Sequence, residues 1–153
     1  ANPEDPGHEA VIFGYFGGAV NVTDGRHVYF RYPENLLDQE LYQYTLMPSH
    51  MLVSFGQQEL AAATLVQDVP FAAGYPVLRV PVLPSSAWYQ SHGPAVVEQH
   101  GSMLFDLAAD PGQQVPLTDP ALVTRMTELM YAALARHDAP PEAYGRLALR
   151  GGA

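Results

Sequence analysis

Six histidines, sixteen carboxylates and no cysteine set the chemistry open to this 153-residue chain. Without a thiol there is no cysteine nucleophile, thiolate metal site or disulfide. His8, His27, His50, His92, His100 and His137 are scattered, and no pair has the i, i+4 spacing of a helical zinc site. His92 and His100 share a loop and could meet at a metal, but ligand spacing needs geometry behind it. Exposed or hydrogen-bonded structural histidines are the expectation. Asp106, Asp110, Asp119 and Glu128 lie close in sequence. Paired carboxylates serve as acid and base when their surroundings split their pKa values. Here Asp110 precedes a proline in a turn and Asp119 starts a helix, so each has a structural use. Ser85-Ser86 has no base near it in sequence, and the G-x-S-x-G elbow is missing. Phosphate cradles of the P-loop type need a lysine, and the seven cations are all arginine. One constellation is retained as substrate-proximal: Trp88, Tyr89 and His92 in a proline-flanked loop. Aromatic faces with polar tips bind sugars and other amphipathic ligands. The competing reading is that Trp88 anchors that loop on the core. Asn21-Val22-Thr23 matches a glycosylation sequon, but Asn21 reads as a hairpin residue. No residue is singled out as catalytic or as a metal ligand.

The elements that must position these groups follow from hydrophobic period and turn chemistry. Residues 1–8 form a flexible acidic lead. Ala10 to Phe16 is a continuous apolar run, expected to be a buried strand. Val20 to Thr23 and Arg26 to Arg31 flank Asp24-Gly25, which predicts a two-residue hairpin with a type I′ turn. That register places Val20 opposite Tyr29 and Val22 opposite His27. Leu41 to Leu46 is a further strand. Gln57 to Val66 is expected to be a short helix capped by Ser54. From Val69 to Pro94 the prolines forbid a long helix and leave Val77 to Val82 as an edge strand. Ser102 to Leu107 is a strand that runs into an Asp110-Pro111-Gly112 turn. Asp119 caps the last long helix, with Pro120 at its first position. Leu122, Met126, Leu129, Met130 and Ala133 form its apolar stripe, Arg136 and His137 suit its C-terminal dipole, and Pro140-Pro141 terminates it. Glu142 to Leu149 makes one further turn. The fold class expected is α+β: a small antiparallel sheet covered on one face by the long C-terminal helix, with a proline-rich irregular middle. Residues 9–150 form one domain and 151–153 a tail.

Composition narrows the partners. A chain of this length buries about 70% of the surface its unfolded form exposes, so a real core is expected. Apolar residues make up 48% and charged residues 15%, with a formal net charge of −9. An acidic chain without lysine lacks the basic clusters that neutralise nucleic-acid phosphates. No stretch is apolar for long enough to span a membrane as a helix. The N-terminal residues lack the features of a signal peptide, and the compartment stays open between cytoplasmic and exported.

Two blocks resemble the sulfatases of the alkaline-phosphatase superfamily. One is Glu9 to Arg31, similar to the region where that family's chain leaves the catalytic domain and enters a small antiparallel sheet bearing an R/K-Y-x-Y strand. The other is Leu104-Phe-Asp-Leu-Ala-Ala-Asp-Pro-Gly-Gln-Gln-Val-Pro-Leu117 with the helix after it. It resembles the family's closing segment, L-[YF]-D-L-x-x-D-P-x-E-x-x-N-L. Leu41 to Pro48 between them fits bacterial members. The blocks stand in family order. Gln113 or Gln114 and Pro116-Leu117 depart from the usual acidic residue and Asn-Leu. The resemblance implies a C-terminal, non-catalytic part of a sulfatase-like hydrolase, completing the fold and shaping the substrate pocket. The family's formylglycine motif C/S-x-P-x-R, its metal-binding aspartates and its active-site lysines have no counterpart in this sequence. Calcium or magnesium is therefore expected in a full-length relative rather than in this chain, which alone is expected to be inactive. The implied partner is an upstream sulfatase catalytic domain. The alternative is a free-standing binding or regulatory module that dimerises with a second copy through its exposed sheet face.

Overall fold

A computed structural model describes residues 8–47, 49 and 54–149, the side chains of 87, 88 and 92 excepted. In chain order the elements are β1 (Val11–Gly14), β2 (Val20–Thr23), β3 (His27–Arg31), β4 (Tyr42–Thr45), α1 (Gln57–Ala62), β5 (Thr64–Val66), β6 (Val77–Pro81), α2 (Ala87–His92), β7 (Met103–Asp106), α3 (Pro120–Arg136) and α4 (Pro141–Arg146). The class is α+β. Among the described residues the strands form two antiparallel sheets, one ordered β1-β2-β3-β7 and one ordered β4-β6-β5.

Strand alternation gives the first sheet its apolar face. Val22 pairs with Tyr29 and Tyr29 with Leu104, so three strands present one row of side chains. Against that row lies α3, whose Met126, Met130 and Leu134 join Val22, Tyr29, Leu104, Leu147 and Leu149 in one buried cluster. Each such side chain contributes about 1.5–3 kcal/mol on burial, opposed by the entropy of ordering it. The helix begins as its sequence requires. The Asp119 carboxylate accepts the N–H of Leu122 at 3.0 Å, and Pro120 occupies the first turn. It ends earlier than Pro140-Pro141: His137 is the C-cap, Asp138 takes φ +54°, and Pro141 opens α4 instead.

Several expectations are corrected by this arrangement. The hairpin turn is centred one residue later, on Gly25-Arg26. Val20 pairs with Arg31, Val22 with Tyr29 and Thr23 with Val28. Gly25 has φ +90° and Arg26 is not positive, the pattern of a type II′ turn rather than I′. The cause is the Asp24 side chain, whose Oδ1 accepts the N–H groups of Arg26 and His27 at 3.0 and 2.6 Å. The slip on the partner strand is two residues, so the facing of every side chain survives. Strand β1 is not buried. It is the sheet's edge, with Ile12 on the core and Val11 and Phe13 turned out, 49% and 46% exposed.

The proline-rich middle, irregular over much of its length, also carries the second sheet. Gln57 to Val66 divides into α1 and β5, with Gly56 as the N-cap rather than Ser54. Glu59 closes that cap by accepting the Gly56 N–H at 2.9 Å. Strand β6 is central, not an edge: Pro76 precedes it and Pro81 is its last residue, so the prolines bound the ladder without interrupting it. The β1–β2 turn packs against the segment leading into β4 and against Pro94. Gly17 has φ +75°, and a Cβ there would lie 2.7 Å from Pro94 Cγ. Its carbonyl accepts from Gln39 Nε2 at 2.6 Å.

Candidate functional site

Two places bring titratable groups together. The first is the corner formed by the β2–β3 turn, the end of β7 and the first half of α3. Asp24 Oδ2 lies 3.2 Å from His27 Nδ1 and accepts from Arg125 Nη1 at 2.8 Å. On the other side, Asp106 Oδ2 accepts from Arg26 Nη2 at 2.8 Å and lies 4.0 Å from His27 Nε2. The His27, Asp24 and Asp106 side chains are shielded, at 14%, 8% and 12% exposure. A carboxylate on one imidazole nitrogen orients the ring for acid–base work at the other. Here the second nitrogen faces another carboxylate instead of an open cleft. Asp106 Oδ1 is further occupied by the N–H groups of Ala108 and Ala109, at 2.9 and 3.4 Å.

Electrostatics agree with a lock rather than a reactive centre. Burial alone would raise the Asp24 carboxyl, but hydrogen bonds from His27, Arg26 and Arg125 outweigh it and hold the pKa well below the carboxylate range. The Arg26 hydrogen bond, against the opposing effect of burial, holds Asp106 down to about 2. The same contact raises Arg26. Both carboxylates are already neutralised by arginine. They are poor ligands for a hard cation, and among the described residues no cluster of three or more His, Asp or Glu side chains suits a metal.

The second place is the junction of the two sheets, built on α4. A cavity of about 440 Å³ is lined by Glu34, Asp38, Glu40, Glu142 and Arg146, among others. Arg146 reaches inward and donates from Nη1 to the Gly18 carbonyl at 2.9 Å and to Gln39 Oε1 at 3.2 Å. Desolvation lowers its pKa. Glu142 accepts the Tyr44 hydroxyl at 2.7 Å, and burial together with that carboxylate pushes Tyr44 up to about 12. The cleft is thus a fold junction with an acidic rim.

Several residues singled out from sequence hold local structure. Trp88, Tyr89 and His92 lie on α2, a short helix and not a loop, begun by Ser86, whose Oγ accepts the Tyr89 N–H at 3.1 Å. The side chains of Trp88 and His92 lie outside the described residues. Tyr89 points inward, clusters with Leu41 and Val82, and donates its hydroxyl to the Leu37 carbonyl at 3.2 Å. His100 lies 3.5 Å from Glu98 and edge-on to Tyr32. Asp110 accepts the N–H groups of Gln114 and Val115 at 2.7 and 2.8 Å, so it holds the turn, while Glu128 is exposed on α3. Asn21 is buried, which removes the sequon from the accessible surface. The contacts that sequence reasoning missed join residues 80 to 128 positions apart, as in Arg26–Asp106, Asp24–Arg125 and Arg146–Gly18. The only local signal was the acidic start of the hairpin turn.

No family model matches the chain, and no curated protein or solved structure matches it.

Proposed function

We propose that this chain is the C-terminal, non-catalytic subdomain of a sulfatase-like hydrolase, packed against an upstream catalytic domain whose pocket it helps to shape. The observation that carries the reading is the edge strand β1. Its inner residue Ile12 packs on the core, while Val11 and Phe13 stand outward and about half exposed on a strand that, among the described residues, is paired on one side only. Exposed apolar side chains on an edge strand are suited to being covered by a partner. The polar constellations support the same reading, because the side chains in them hold turns, helix ends and the sheet junction. In the complete enzyme a calcium or magnesium ion would belong to the catalytic domain.

Two measurements test this. Translating the gene upstream of the Ala1 codon is expected to give an in-frame C/S-x-P-x-R element and an aspartate pair. A start codon directly before Ala1, with no such element, overturns the proposal. The purified 153-residue chain is expected to leave an aryl sulfate intact with or without calcium or magnesium. Saturable, metal-dependent turnover by this chain alone would show that it is catalytic. The same edge strand also suits a second copy. A sedimenting dimer that Phe13→Ser converts to monomer would favour that second reading.

A further inference from the structure

We draw no further inference here: the strongest candidate, the outward apolar residues of edge strand β1 on the four-stranded sheet, already carries the interface reading above, and nothing else in the structure shows what covers them.

Discussion

The two sheets are built by different means. The four-stranded sheet rests on one continuous apolar cluster running from β1 through α3 to Leu149. The three-stranded sheet has Val80 fully buried, yet among the described residues the second buried cluster comprises Leu41, Val82 and Tyr89. Polar groups fill the difference. Arg79 lies 4.1 Å over the Tyr42 ring, Tyr44 bonds Glu142, and Glu59 closes the cap of α1. Among the described residues, three of the four buried side-chain atoms without a hydrogen-bond partner belong to this second sheet and its helix: Gln43 Nε2, Glu59 Oε1 and Arg79 Nε. Each such atom costs about 1–3 kcal/mol. The contrast predicts that the first sheet sets global stability and that the second opens at lower free energy.

Removing core volume gives the largest expected effect. Met130→Ala should lower unfolding free energy by about 2–5 kcal/mol, read from urea denaturation, because Met130 is fully enclosed between α3 and the first sheet. A matched pair sharpens the comparison. Val22 and Val80 are the same residue at the same 0% exposure, one in each sheet. Val22→Ala should shift the global midpoint by an amount near the two lost methyl groups, about 1.6 kcal/mol. Val80→Ala should shift it less and instead speed amide exchange in β4 and β6. Equal shifts at both sites, with equal exchange protection in the two sheets, would break the distinction.

The same contrast decides what was legible in the chain. The Asp119-Pro120 start and the stripe through Met126 and Met130 are short-range signals, so α3 could be read directly. The hairpin was readable in outline, but its centre depended on a side chain: Asp24 captured two backbone N–H groups and moved the turn onto Gly25-Arg26. In the second sheet the local signals mislead. Prolines that bound β6 look like prolines that break it, and Thr64 to Val66 continues an apparent helix although it pairs with β6. Buriedness of β1 was unreadable because apolar composition cannot tell an inner strand from an edge strand. The polar corner was invisible, since its partners meet only after folding.

Acid should separate the sheets next. Asp106 is held at about 2 against an ordinary 3.8, so its folded pKa is the lower one. Its contribution is complete above the unfolded value, near 4, and is lost as pH falls through the folded value. Asp24 acts with the same sign. Acidification from pH 4 to 2 should therefore loosen the β2–β3 turn and its contact with α3, read as faster amide exchange there. Asp106→Asn should weaken the acid dependence of stability in that window. An unchanged acid limb in the variant would remove Asp106 from the lock.

The smallest expected effect bears on the aromatic segment first singled out for ligand binding. Tyr89 packs with Leu41 and Val82 and reaches the Leu37 carbonyl through its hydroxyl. Burial, with a smaller effect of the Asp38 charge, raises its pKa, as expected for a hydroxyl serving as a neutral donor. Tyr89→Phe deletes that donor and keeps the ring, so it should cost about 0.5–1.5 kcal/mol. The loss should appear in the local opening of α2 more than in the global midpoint, because this segment belongs to the weaker region. A global loss as large as that of Val22→Ala would instead join α2 to the main core, and the two sheets would have to be treated as one cooperative unit.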